Sequence, residues 1–238
     1  MQSDRHMMVI GGTSGIGLAT AQMFARSGAK VSVSGRTQAA SLAAAQAIGG
    51  DAVALDLNAP SAMEEIASGI APIDGLVITA GTTYFAPVEY DTPEAFSAIL
   101  QSDVAGSFFA LRALAPKLRD GGAIVLTTTV LSERYFFGAT ALSSARAGIS
   151  TIMRTFAVEL AARGIRVNAV AVGPIDTPAW EKAGATEEDR ESVRQTVLLG
   201  RLGQAEDVAR AIAFLCSDQA SFITAAELPV DGGWRFGA

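Results

Sequence analysis

Cysteine is almost missing from this chain: Cys216 stands alone among 238 residues. No internal disulfide can form, and no cluster of thiolate ligands can hold a metal. Cys216 follows Phe214 and Leu215 in an apolar, helical run, which predicts a buried thiol rather than a nucleophile. Such a chain suits a reducing cytoplasm. Histidine is equally scarce. His6, the only one, is expected at the fraying lip of the first strand, with no metal site around it. Runs of Lys and Arg are absent and the net charge is −6. That weighs against a nucleic-acid phosphate track or an anionic membrane surface and leaves a small-molecule substrate and protein partners. Long apolar runs are absent as well. The stretch from Met7 to Ile10 runs directly into glycines, far short of a signal segment or membrane span, so no export is expected.

What the chain does have is apolar surface. Hydrophobic residues make up 50% and charged residues 18%, enough for a sizeable core. One domain over residues 1–238 is the expectation. Short β-branched runs at Met7–Ile10, Lys30–Ser34, Ala52–Leu55, Gly75–Thr79, Ala123–Thr128, Ile165–Val170 and Glu227–Val230 alternate with long Ala-rich segments. That alternation reads as strand, helix, strand. Parallel strands need helical crossovers, and right-handed crossovers cover both sheet faces, so an α/β, three-layer, doubly wound sheet follows. Glycines after Ser27, Ile48, Asp120 and Arg163 close the helices. Residues 177–200 depart from the pattern with clustered charge, including Glu187, Glu188, Asp189 and Arg190, and are expected to form a mobile lid carrying a short helix.

Gly11, Gly15 and Gly17 follow the first strand and open a helix, with Thr13, Ser14 and Ile16 between and beside them. Without Cβ atoms the backbone turns tightly and can approach a pyrophosphate held at the positive helix N-terminus. The second strand ends at Ser34, Gly35 and Arg36. An acidic residue there would take a ribose 2′-hydroxyl, and none is present. Arg36 offers a planar fork of donors to a 2′-phosphate, which favours NADP(H), with NAD(H) as the alternative. A plain solvated arginine at a strand end is the competing reading.

The glycine loop, the run Leu76 to Gly81, Arg166-Val167-Asn168-Ala169-Val170, Gly173 to Pro178, Arg201-Leu202-Gly203-Gln204 and Val230-Asp231-Gly232-Gly233 together resemble the classical short-chain dehydrogenase/reductase family, over almost the whole chain. The resemblance implies a seven-stranded Rossmann sheet and a homotetramer or homodimer. It implies Asp56 and Leu57 beside the adenine, Ala80 and Gly81 at the adenine ribose, and Gly173, Ile175 and Thr177 at the nicotinamide. Asp56 can also simply cap the turn after it. Val172 stands where proline is usual. Ile78 and Thr79 replace two asparagines that brace the central strands.

Members of that family normally use Asn, Ser, Tyr and Lys. All four positions differ here: the asparagine falls on Asp103, the serine on Thr129, the tyrosine on Leu142 and the lysine on Arg146. Thr129 keeps a hydroxyl for a substrate carbonyl. Arg146 keeps a cation that can hold the cofactor, although its charge is effectively permanent. Leu142 has no ionisable atom and cannot act as general acid, a step typically worth ~10²–10⁴ in rate. Asp103 and Arg146 either form a charge-assisted pair in place of a proton route or are two independent changes. Tyr135 is the leading substitute acid, with Arg134 or Arg146 lowering its pKa; Tyr84 is a weaker one, and Glu133 and Ser143 are unranked. The run Tyr135-Phe136-Phe137 reads equally as a pocket wall or subunit contact. Trp180 reads as an apolar anchor facing substrate.

Three functions follow. The first is an NADP(H)-dependent oxidoreductase on a carbonyl or alcohol with a non-standard proton donor. The second is a nucleotide-binding protein without redox turnover, serving as sensor, scaffold or partner subunit. The third is non-redox chemistry in the same pocket.

Overall fold

Successive residues of the first strand serve two different cores. In this computed structural model, which describes residues 4–237, β1 (His6–Ile10) sends Met8 and Ile10 into one buried cluster and Met7 and Val9 into another on the opposite sheet face. A strand buried on both faces must read as continuous apolar sequence, and this one does.

The first half of the chain continues through α1 (Gly15–Arg26), β2 (Lys30–Gly35), α2 (Gln38–Ile48), β3 (Asp51–Ala54), α3 (Met63–Ser68) and β4 (Ile73–Ile78). The second half holds α4 (Pro93–Ile99), α5 (Gly106–Leu114), β5 (Leu118–Thr129), α6 (Thr140–Leu160), β6 (Arg166–Val172), β7 (Ile175–Asp176), α7 (Ala179–Lys182), α8 (Glu187–Gln195), β8 (Gly203–Gln204), α9 (Ala205–Cys216) and β9 (Glu227–Val230). Seven strands form one parallel sheet in the order β3-β2-β1-β4-β5-β6-β9, and β7 pairs with β8 outside it. Buried residues of α1, α2 and α9 pack on one face of the sheet and those of α3, α5 and α6 on the other, which gives the doubly wound arrangement expected. Strand order reverses between β1 and β4, and ligands of such sheets bind beyond the strand ends at that switch point.

Local departures have physical causes. The helical run from Pro93 to Leu114 is interrupted by a π-helical stretch, Leu100–Ala105, a wide turn of the kind found at functional sites. It stops at Leu114 because Pro116 cannot continue it. Arg163 then donates to the carbonyls of Ala115 and Leu118. Residues 177–200 carry two short helices rather than one, the second started by a capping box between Thr186 and Asp189.

His6 corrects the sequence expectation. It is a paired residue of β1, in register with Lys30, and is only 7% exposed. Its Nε2 lies 2.8 Å from Ser32 Oγ and its Nδ1 3.2 Å from the Pro72 carbonyl, while its backbone N–H donates to Asp74. Burial is the main cause holding its pKa below the ordinary 6.5. Cys216 is buried as expected, and burial pushes its thiol up to about 12.

Candidate functional site

The glycine turn is built so tightly that side chains cannot enter it. Gly11 has φ +82°, and a Cβ there would stand 2.6 Å from the Ala80 nitrogen, across the switch point. A Cβ on Gly17 would meet the Gly11 carbonyl oxygen at 2.1 Å and Thr79 Oγ1 at 2.5 Å. Here α1 presses its first turn against the loop. The backbone N–H groups of Gly11 and Gly12 both donate to the Ser34 carbonyl at 3.0 Å, which pins the turn to the end of β2. Ser14 makes no side-chain cap and α1 has no acidic residue in its first turn. The orphan amides at this positive helix end therefore suit an anion. This cradle fits the pyrophosphate of a dinucleotide, with Thr13, Ser14, Gly15, Ile16 and Gly17 as the residues that would hold it.

Thr79 softens the expected loss of the bracing asparagines. Its hydroxyl donates to the Ile10 carbonyl at 3.0 Å and its backbone N–H to the same oxygen at 2.9 Å, tying β4 to β1. Thr177 lies against Gly15, where a Cβ would stand 3.5 Å from it, so the start of the 177–200 segment reaches the phosphate loop. Ile175 buries its side chain in the core, and its backbone pairs β7 with β8 opposite Gly203. Gly173 passes so close to Asp231 that a Cβ would sit 2.5 Å from its Cα. Asp56 does cap its turn, accepting from the backbone and side-chain nitrogens of Asn58 at 3.0 and 3.1 Å. Leu57 is buried against Gly106. Arg36 is exposed at the end of β2 and has no ion pair among the described residues.

Behind the loop stands a buried ion pair. Arg146, on α6, brings Nη2 within 3.3 Å of Asp103 Oδ2, with the two side chains 11% and 0% exposed. Arg146 Nη1 also donates to the Thr127 carbonyl at 3.1 Å. Asp103 accepts from the Thr82 backbone N–H at 3.0 Å and from Ser102 Oγ at 2.8 Å. The guanidinium lies directly on Gly81, where a Cβ would be 2.1 Å from Nη2. Any side chain at 81 would displace it. Sequence reasoning missed Thr82 and Ser102, although both flank residues it had singled out.

Leu142, where the resemblance puts the family's tyrosine, is surrounded by hydrocarbon. Leu142 is 6% exposed and shares a buried cluster with Val130, Leu131, Ala139, Ala171, Val197 and Trp234. Thr129 is at the end of β5, but its hydroxyl proton points at the Val172 carbonyl at 3.3 Å while its oxygen accepts from the Leu131 N–H. Tyr135 stands apart from this cluster. Its side chain is 96% exposed, in water rather than packed in the cleft. The two arginines expected to tune it are engaged elsewhere: Arg134 with the carbonyls of Trp234 and Gly237, both at 2.6 Å, and Arg146 with Asp103. The Asp91 carboxylate near Tyr84 holds its phenol above the usual tyrosine range. Glu133 pairs with Arg235 at 2.9 Å, and Ser143 is half-buried. Trp180 donates from its indole nitrogen to the Ile175 carbonyl at 2.7 Å.

Trp234 is the wall residue that the sequence did not single out for this site. It is 5% exposed, so intramolecular packing is its role here. Its indole N–H donates to Thr196 Oγ1 at 2.8 Å, and the Arg134 guanidinium lies 4.8 Å from its ring centre. Phe136 packs against it at 5.7 Å between ring centres, and Phe85 against Phe136 at 5.8 Å. A row of rings thus leads from the surface to the cluster that contains Leu142. The only hint in the sequence was the aromatic content of both segments.

With this geometry established, known proteins can be set beside it. A family model described as enoyl-(acyl carrier protein) reductase matches residues 11–235. A 3-oxoacyl-(acyl-carrier-protein) reductase of Thermotoga maritima is 33% identical over 95% of this chain and 96% of its own length. A cis-4-hydroxycyclohexanecarboxylate dehydrogenase of Sinomonas cyclohexanicum is 35% identical over 98% of this chain and 97% of its own. A solved short-chain dehydrogenase/reductase family protein, 32% identical, superposes with a TM-score of 0.89 over 98% of each chain. The chain belongs to the short-chain dehydrogenase/reductase family.

Proposed function

We propose that this protein is an NADP(H)-dependent oxidoreductase of a carbonyl or alcohol, in which water rather than a tyrosine exchanges the proton. The observation that carries this reading is the cradle at the switch point, with Gly17 pressed onto Gly11. When bound, the reduced dinucleotide supplies the hydride, and hydride transfer asks the protein mainly for position. Thr13 to Gly17 hold the pyrophosphate on backbone amides. Arg36, exposed and without an ion pair, takes a 2′-phosphate, which favours NADP(H) over NAD(H). Arg146, fixed by Asp103 and Thr127, presents its remaining N–H groups toward the ribose side of Gly81. Leu142 and Trp234 keep the reactive end apolar.

The Sinomonas relative is named for a dehydrogenation of a hydroxyl on a six-membered ring, and an apolar pocket of this kind is consistent with a ring substrate here. The test is NADPH oxidation with a panel of ketones, aldehydes and quinones, beside cofactor binding followed by fluorescence. The second reading, nucleotide binding without turnover, draws on the burial of Leu142 and the neutralising of Arg146 by Asp103. Tight binding with no oxidation of any compound would establish it. No helix among the described residues is long and apolar enough to cross a membrane, and none of their His, Cys, Asp and Glu side chains group to hold a metal ion. We place the protein in the cytoplasm as a homodimer or homotetramer, with the half-exposed rings of Phe96 and Phe108 on the long helical face as contact residues.

A further inference from the structure

We infer that the oxidised substrate of this site is a planar, conjugated ring carbonyl of the quinone class. The inference rests on the NADP(H) reading above and deepens it by naming the acceptor. Two independent observations carry it.

The first is the absence of an acid at the reactive end. Leu142 lies in a closed apolar cluster, the single proton of Thr129 is directed at Val172, Tyr135 stands in water, and Arg146 is paired with Asp103. A simple ketone that accepts hydride here becomes an alkoxide, whose conjugate acid is far weaker than a phenol. Without a donor that anion is left uncompensated beside hydrocarbon. A quinone is different. It takes the hydride from the reduced nicotinamide dinucleotide, which is oxidised, onto one carbonyl oxygen; the π pair of that carbonyl moves into the ring, and the π pair of the far carbonyl moves onto its own oxygen. The product is a hydroquinone monoanion, a phenolate whose conjugate acid lies near the tyrosine value of about 10. It collects its second proton from water after the transfer. The substrate thereby supplies the charge stabilisation that the protein lacks.

The second observation is the row of rings. Phe85 and Phe136 are 44% and 39% exposed, and they meet edge to face with an interplanar angle of 70°. Phe136 in turn packs on the buried Trp234, within the cluster that includes Leu142. Faces and edges of fixed aromatic side chains attract a planar ring beyond what apolar area alone provides. Few charged donors are left in this row to recognise a carboxylate or sugar, because Arg134 is bonded to the carbonyls of Trp234 and Gly237 and Arg235 is paired with Glu133.

The experiment has three arms on the full chain. NADPH binding is followed by calorimetry. Binding of 1,4-naphthoquinone in the absence of cofactor is followed through quenching of tryptophan fluorescence, since Trp234 lies in the row. NADPH oxidation with naphthoquinone and with cyclohexanone is then compared above the uncatalysed rate, between pH 6 and 9. The expected result is saturable quenching, weakened about 5- to 10-fold in Phe136→Ala, in line with one aromatic contact. Turnover of the quinone should exceed that of cyclohexanone at least ~10²-fold, the lower bound for a missing general acid, with a flat pH profile. NADPH binding with equal turnover of the two acceptors overturns the inference and leaves the NADP(H) reading standing. So does quenching unchanged in Phe136→Ala, or a change confined to its oligomeric state, which would make the row a subunit contact. Absence of NADPH binding overturns the reading and the inference together.

Discussion

The guanidinium of Arg146 lies 3.3 Å from the carboxylate of Asp103, and neither side chain is more than 11% exposed. The resemblance to the family puts an asparagine and a lysine, members of a proton route, at these two positions. Here opposite charges neutralise each other, and the pair cross-links α6 to the π-helical stretch between α4 and α5. Removing one partner of a buried pair leaves the other charge uncompensated. Asp103→Asn should therefore lower unfolding free energy by ~3–5 kcal/mol, read by urea denaturation. A variant that unfolds at the wild-type midpoint would mean that the two charges do not depend on each other.

Leu142→Tyr places a phenol in a space already filled by Val130, Ala171 and Trp234. Overpacking of this kind costs ~1–3 kcal/mol. The melting temperature should fall, and NADPH oxidation should not rise, because Arg146 remains tied to Asp103. A gain in turnover without loss of stability would show that the cleft still has room for a phenol.

Tyr135→Phe should leave turnover near wild type, since the side chain is solvated. A fall of ~10²–10⁴-fold in kcat, the typical value of a general acid, would return Tyr135 to the catalytic role. Steady-state kinetics on the purified variant decides this.

Arg36→Ala should weaken NADPH about tenfold and leave NADH unchanged, the loss expected for one charge-assisted contact to a 2′-phosphate. Equal losses for the two dinucleotides, measured by fluorescence titration, would reduce Arg36 to a solvated strand-end residue.

His6 makes stability depend on pH. Its folded-state pKa lies below the ordinary 6.5, mainly because burial disfavours the imidazolium. The unfolded chain therefore binds the proton first. Its contribution to stability is fully present above pH 6.5 and is lost as pH falls through the lower, folded value. Unfolding free energy should decline with acidification below 6.5, and His6→Gln should flatten part of that decline. An identical slope in the variant would place the dependence on other groups.

The sheet and its crossovers were legible because strands buried on both faces, such as Met7–Ile10, can only be apolar throughout, and because Gly11, Gly15 and Gly17 leave no other reading of the turn. Asp103, Thr129, Leu142 and Arg146 were visible as the positions to which the resemblance assigns the catalytic roles. What they touch was not. The Asp103–Arg146 contact closes across 43 residues and depends on a π-helical stretch that no local preference announces. His6 was misread because the Pro72–Asp74 segment that covers it is distant in sequence. Tyr135 and Phe136 are neighbours of the same chemical kind, yet one is in water and the other packs on Trp234; a loop gives no periodicity from which to tell them apart.

Calorimetric titration of NADPH into the purified protein tests most directly whether a dinucleotide rests in the cradle between Gly11 and Gly17. One equivalent should bind with saturable heat and with an affinity in the range of about 1 μM to 1 mM typical of enzyme ligands, more tightly than NADH. Absence of heat with both dinucleotides would contradict it.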